Sequence, residues 1–174
     1  MKNKPPIHVA ILTVSDRCSR GESDDKSGPR LGEIALEQGW IIEEMEVVAD
    51  EKAEIQATLL DWCDKGTIAL ILTTGGTGLS PRDVTAQATQ EILDKEIPGL
   101  AELMRSEGRK FNPFSVLSQA VVGLRKKTLI INLPGNPLGA EQSLRIVLGL
   151  IPHALHIMTG GDHHEKENLH AHST

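Results

Sequence analysis

The chain has 174 residues and a mass of 18.9 kDa, enough for one domain with a sizeable core and short for two. Its 24 acidic and 18 basic residues give a net charge of −6, so no overall positive field favours nucleic acid or an anionic membrane, and an anionic ligand has to be met by local groups. Cys18 and Cys63 are too few for a disulfide framework, no apolar stretch reaches the roughly 18–20 residues of a membrane span, and Trp40, Trp62, Phe111 and Phe114 leave little material for stacking nucleic-acid bases, so a soluble cytoplasmic protein is expected.

After a polar lead, IHVAILTVS is a β-branched apolar run that predicts a strand buried on both faces and ending at Ser15. The charged stretch DRCSRGESDDKSG reads as a long loop. PRLGEIALEQG then places Leu31, Ile34 and Ala35 at helical spacing, with Pro29 near the start and Gly39 at the end. WIIEEMEVVA is the second strand. DEKAEIQATLLDWCDKG sets Ile55, Leu59, Trp62 and Cys63 on one helical face between Asp50 as N-cap and Gly66 as C-terminal stop. TIALILTT is the third strand. This alternation predicts a mainly parallel sheet with helices on both faces and ligands at the C-terminal ends of its strands.

The second half carries helical TAQATQEILDKE and IPGLAELMRSEG, then two extended pieces within FNPFSVLSQAVVGLRKKTLIINLPGNP. A final helical stretch from about residue 138 to residue 158 is bent or divided by Pro152. Residues 1–160 are expected to form the single domain. Residues 161–174 are polar and aperiodic, which predicts disorder, and their His163, His164, His170 and His172 read as a solvated segment rather than a metal site. His8, in the first strand, reads as a structural histidine.

The stretch LILTTGGTGLSPRDVT, residues 70–85, carries the most information. SPRD suits a helix start, with Ser80 as N-cap, Pro81 at the first position and Asp83 at the third. That leaves Gly75, Gly76 and Gly78 unexplained, because glycines cost conformational entropy and offer no side chain to pack. Together with Thr73, Thr74 and Thr77 they make a nest of N–H and hydroxyl donors for phosphate oxygens. The spacing is neither a Walker A loop nor a Rossmann fingerprint, which removes a dinucleotide-dependent reductase. The other strand ends, Ser15-Asp16-Arg17, Asp50 and the segment with Pro134 and Gly135, fall on the same predicted edge and line one crevice with the glycine loop.

VSDR, DKSG, TTGGTG followed by RDVT, EIPG, the LS of Leu117 and Ser118, GLR and NLPGNP together resemble the MogA family of molybdopterin adenylyltransferases, in register over about residues 7–158. The matching domains of gephyrin and of the plant cofactor-synthesis protein look similar. TTGGTG alone would also suit the MoaB branch and the molybdenum insertase, and RDVT with NLPG weighs toward the adenylyltransferase. The resemblance implies a three-layer α-β-α sandwich of molybdopterin-binding-domain type, usually a homotrimer, that binds molybdopterin and ATP with Mg²⁺. It implies transfer of AMP to the terminal phosphate of molybdopterin and release of pyrophosphate, ahead of molybdate insertion by a molybdenum insertase partner. It also implies Asp50 and Asp83 as the catalytic and metal-binding aspartates, Gly75 to Gly78 as the phosphate loop and Ser118 on the pterin side. The alternative reading is a MoaB-like or scaffold protein that binds the pterin without turnover.

One position departs from the family: LSQ stands where many members read LSR, so Gln119 lacks a positive charge for the pterin's phosphate, and Arg125 is the expected substitute. The chemistry suits the rest. A phosphate monoester is largely dianionic at pH 7 and needs no strong base, whereas joining two polyanions needs carboxylate-held metal, main-chain donors and cations such as Arg17 or Arg82.

Overall fold

Residues 5–160 are described by a computed structural model, so the expectation for the histidine-bearing tail at 161–174 lies outside the described residues. The elements in chain order are β1 (His8–Val14), α1 (Asp16–Ser19), α2 (Ser27–Glu37), β2 (Ile41–Val48), α3 (Lys52–Lys65), β3 (Leu70–Thr74), α4 (Thr85–Gln90), β4 (Lys95–Glu96), α5 (Pro98–Gly108), β5 (Val122–Arg125), β6 (Thr128–Leu133), α6 (Pro137–Val147) and α7 (Ile151–Met158). They form one sheet in the order β2-β1-β3-β6-β5-β4. The pairings β2–β1, β1–β3 and β3–β6 are parallel, as the alternation predicts. The pairings β6–β5 and β5–β4 are antiparallel. The turn at Lys126–Lys127, with Lys126 at φ 52°, is too short for a crossover and permits only a hairpin.

Alternate residues of the parallel strands feed two cores. On one face Ile11, Leu72 and Ile131 pack with Leu31, Ile34, Leu144 and Ile151 from α2, α6 and α7. On the other, Leu12, Ile71 and Ile130 pack with Ile55, Leu59, Trp62 and Cys63 from α3. On β1, β3 and β6 both faces are covered, which is why these three strands are apolar nearly throughout rather than alternating, and the fold is a three-layer α/β/α sandwich. Each fully buried aliphatic side chain contributes roughly 1.5–3 kcal/mol.

Three local readings change. The loop after β1 contains the short α1, because the Ser15 hydroxyl accepts from Cys18 N at 3.2 Å and starts a turn. α4 stops at Gln90: Ile92 is buried in the second core and Asp94 N–H donates to the Leu124 carbonyl at 2.8 Å, pulling the chain into the edge hairpin. The last helix is divided by a 3-10 turn at Leu148–Leu150, with Pro152 in the first turn of α7, where its missing N–H costs nothing.

α2 and α6 are clamped by ions. Glu141 accepts from Arg30 Nε and Nη2 at 2.8 and 2.7 Å and from Arg145 Nε at 2.9 Å. The two guanidinium groups, Arg30 first, hold the Glu141 carboxyl at about 2, below its ordinary 4.5. Because the folded value is the lower one, this contribution to stability is complete above about 4.5 and is lost as the pH falls toward about 2. Glu141→Gln is therefore expected to melt below the wild type at neutral pH, with the gap closing through the acid range. A gap independent of pH in thermal melts would contradict this.

Candidate functional site

The parallel strands β1, β2, β3 and β6 bring their C-terminal ends to one edge, and the glycine loop forms where β3 leaves it. Gly75 sits at φ +102°, and a Cβ there would lie 2.2 Å from the Val14 carbonyl oxygen; its N–H donates to the Leu133 carbonyl at 3.1 Å. Gly76 has φ +64°, and a Cβ on it would lie 2.1 Å from Thr85 Oγ1. The glycines thus let backbone pack on backbone between β1 and β6, which corrects the expectation that they contribute nothing to packing. Beyond Gly75, the N–H groups of Gly76, Thr77, Gly78 and Leu79 meet no acceptor among the described residues. Four consecutive free donors are the part of the loop available to an anion. The threonine hydroxyls are not all free: Thr73 Oγ1 accepts from buried Asn132 and Thr74 Oγ1 donates to the Pro134 carbonyl at 2.6 Å.

Asp50 does not cap α3, whose N-cap is Glu51 with no side-chain bond. Instead Asp50 Oδ2 accepts from Asp16 N at 2.8 Å, and Asp16 Oδ1 accepts from Asp50 N at 3.0 Å, a reciprocal pair that ties the ends of β1 and β2. Burial, with the negative charges of Asp16 and Asp83 nearby, raises the Asp50 carboxyl above the ordinary aspartate value, a state that a cation would relieve. Asp83 lies in a closed turn: its Oδ2 accepts from Ser80 N at 2.8 Å and its N–H donates to the Ser80 carbonyl at 2.9 Å. Half of the expected capping box forms, yet the helix begins only at Thr85. Each aspartate therefore has one oxygen held by a main-chain N–H and one without a partner among the described residues.

This donor set suits Mg²⁺, which takes oxygen ligands and needs only one or two carboxylates when phosphate and water supply the rest. No group of three or more His, Cys, Asp or Glu able to hold a metal occurs among the described residues. Beside the pair, the hydroxyl of fully buried Thr85 has no partner, and Gly76 separates it from Asp50 Oδ1.

Two cavities flank the loop and share Gly76, Asp83 and Gly135 as a common wall. The smaller, of about 410 Å³, is lined by Ser15, Arg17, Lys26, Asp25, Asp50 and Thr74. Neither Arg17 nor Lys26 is paired with a carboxylate among the described residues. The larger, of about 810 Å³, is lined by Gly78, Ser118, Asn112, Gln142, Pro134, Phe111, Phe114 and Leu138, with no cationic side chain. Phe111 and Phe114 are 60% and 70% exposed at its rim, whereas both tryptophans are buried.

Most residues expected at the crevice meet there, with two changes of role and one of place. Ser15 spends its hydroxyl on α1, and Asp16 spends its carboxylate on Asp50 and Arg82, so both frame the site. Arg125 is not in the site. It pairs with Thr128 at the start of β6, so it lies at the opposite edge of the sheet, roughly 17 Å of strand from the crevice. Its Nη1 donates to the Ile92 carbonyl at 2.7 Å. Gln119 stays beside the large cavity through its main-chain N–H, which donates to the Thr77 carbonyl at 2.9 Å, while its side-chain amide turns back to the Leu117 carbonyl at 3.1 Å. Arg125→Ala is accordingly expected to leave pterin affinity unchanged and to cost about 1–3 kcal/mol of stability by stranding a buried carbonyl. A tenfold loss of pterin affinity without a change in melting would return Arg125 to the site.

Sequence reasoning missed two side chains. Asp25 accepts from Ser27 N, Gly28 N and the Thr13 hydroxyl, at 3.1, 3.0 and 2.7 Å, anchoring the start of α2 to the end of β1. Its signal was present as the acidic residue three positions before Gly28. Thr85 stands within RDVT, but its place beside Asp50, 35 residues earlier in the sequence, is visible only in the fold.

A family model described as "Probable molybdopterin binding domain" matches residues 10–153. A Helicobacter pylori protein named molybdopterin adenylyltransferase is 39% identical over 158 residues, covering 88% of this chain and 89% of the relative. An Escherichia coli protein of the same name is 40% identical over 141 residues, covering 79% of this chain and 72% of the relative. Among solved structures, the molybdopterin biosynthesis enzyme MoaB from Thermus thermophilus is similar with a TM-score of 0.84 at 48% identity, over 88% of this chain and 97% of that one. A MogA structure gives 0.83 at 38% identity, over 87% and 99%.

Proposed function

The chain belongs to the molybdopterin-binding domain family, and from that premise we propose that it is a molybdopterin adenylyltransferase. The observation that carries this reading is the loop between the two cavities, which brings four free main-chain donors, Gly76 to Leu79, together with the free carboxylate oxygens of Asp83 on the shared wall and Asp50 in the smaller cavity. A site that joins two polyanionic substrates needs that combination.

In this reading the larger cavity takes the pterin, with its aromatic rim for the ring and Ser118, Asn112 and Gln142 for its polar edge. The smaller takes the nucleotide phosphates beside Arg17 and Lys26. The terminal phosphate oxygen of molybdopterin forms a bond to the α-phosphorus of ATP, the bond from that phosphorus to the bridging oxygen breaks, and pyrophosphate leaves with the electron pair. The attacking phosphate is dianionic, so no side chain has to remove a proton. The loop N–H groups hold phosphate oxygens in line, and Asp50 and Asp83 would hold Mg²⁺, which supplies charge neutralisation when bound.

The test is incubation with molybdopterin and ATP, with Mg²⁺ or with chelator, and detection of adenylylated pterin. Product that depends on the metal is expected. Pterin binding without product would favour the scaffold or MoaB-like reading, for which the 48% identity to the Thermus protein speaks. No helix among the described residues is long and apolar enough to cross a membrane. The same reading makes the chain a cytoplasmic homotrimer that delivers its product to a molybdenum insertase. Light scattering that returns a monomer of 18.9 kDa would overturn the trimer.

A further inference from the structure

Arg82 is the cation next to Asp83, and beside a phosphate loop the obvious role for it is to bind phosphate. Its contacts point elsewhere. Nε and Nη2 donate to the Asp16 carboxylate at 3.1, 2.9 and 2.9 Å, and Nη1 lies 2.9 Å from Glu51 Oε1. Neither Arg82 nor Asp16 lines either cavity. We infer that Arg82 is a positioning residue, a strut that fixes Asp50 relative to Asp83 through Asp16, and not a phosphate ligand. This inference rests on the metal assignment made above.

The chain of contacts is continuous. The main chain of Arg82 belongs to the turn that holds Asp83, its guanidinium holds Asp16, and Asp16 exchanges two hydrogen bonds with Asp50. Among the described residues no other hydrogen bond or ion pair joins the 79–83 turn to the ends of β1 and β2. Arg82 also cancels charge. Without it, the carboxylates of Asp16 and Asp50 would face each other uncompensated, and the reciprocal pair that leaves Asp50 Oδ1 free would open. The fork geometry matters, because a guanidinium can grip Asp16 with two nitrogens and Glu51 with the third, which a lysine cannot. Arg82 is 54% exposed, so its ion pairs add little to global stability, and its loss should be felt in the site rather than in the melting curve.

The test uses Mn²⁺ as the probe, with free ion followed by paramagnetic resonance in the full-length chain, and then ATP binding by calorimetry with chelator present. Arg82→Met is expected to weaken Mn²⁺ binding by roughly 10–100-fold, the usual range for residues that orient metal ligands. Asp16→Asn should reproduce that loss, and Arg82→Lys should recover only part of it. Affinity for metal-free ATP should stay within about twofold, because the guanidinium touches neither cavity. A fall in metal-free ATP affinity in Arg82→Met would make Arg82 a phosphate ligand and overturn the inference. Unchanged Mn²⁺ affinity in folded Arg82→Met and Asp16→Asn would overturn it too, since the aspartates would then hold their places unaided. A wild-type chain that binds Mn²⁺ but no ATP would sink the nucleotidyl-transfer reading while the strut still stood. One that binds no Mn²⁺ would sink the metal assignment and the strut together.

Discussion

Asp83→Asn is expected to lower turnover by roughly 10²–10³-fold while leaving the melting temperature nearly unchanged. The amide oxygen can replace Asp83 Oδ2 as the acceptor for Ser80 N, so the turn at 80–83 stays closed. What changes is the other atom, where a free anionic oxygen on the wall between the cavities becomes a neutral NH₂ donor. Asp83→Ala supplies the contrast. It removes the turn's acceptor as well, at a cost of about 1 kcal/mol, comparable to losing a helix cap. A drop in melting temperature of roughly 2–4 °C should follow from that loss. Turnover by Asp83→Asn within a few fold of wild type would reduce Asp83 to a turn residue. Asp50→Asn tests the second carboxylate less cleanly, because the amide must also keep the bond from Asp16 N.

The largest effect on stability is expected at Gly75. Alanine there would have to adopt φ +102° and place its Cβ 2.2 Å from the Val14 carbonyl oxygen, which belongs to the neighbouring strand and cannot rotate away. Backbone strain and overpacking each cost about 1–3 kcal/mol, so Gly75→Ala should lose about 3 kcal/mol or more. That corresponds to a fall of roughly 6–12 °C in melting temperature. Gly78→Ala is the gentler probe of the same loop, since the nearest atom to its Cβ would be the Asp83 carboxylate at 2.8 Å, a side chain that can shift. Equal melting of Gly75→Ala and wild type by calorimetry would mean that the loop is not pinned between β1 and β6.

The glycine loop illustrates the difference between local and tertiary information. Its composition marks a phosphate nest, and the free N–H groups lie within it, but the reason for Gly75 is the Val14 carbonyl, which belongs to another strand. Asp50 followed the same course. As the residue before a helical pattern it reads as a cap, because capping spans only three or four positions and is visible in any short window. Its actual partner is Asp16, 34 residues away in the sequence. Arg125 was misplaced for a related reason: a run of apolar residues shows that a strand exists but not which way it runs beside its neighbour.

By itself the sequence determined what periodicity and turn chemistry can encode. The apolar runs of β1, β3 and β6, the helical faces of α2 and α3, the stop at Gly66 and the division of the last helix at Pro152 all depend on residues within a turn or two of each other. The right-handed alternation of strands and helices then placed the C-terminal strand ends at one edge, so the crevice was legible before any coordinate. Only the tertiary structure decided which atoms in that crevice are available. The hairpin at Lys126 sent Arg125 to the far edge, Pro134 took up the Thr74 hydroxyl, and Asp16 drew the guanidinium of Arg82 across 66 residues of sequence. Availability of a polar atom is the remainder after every partner within reach has been counted, and most of those partners are brought near by packing rather than by sequence order.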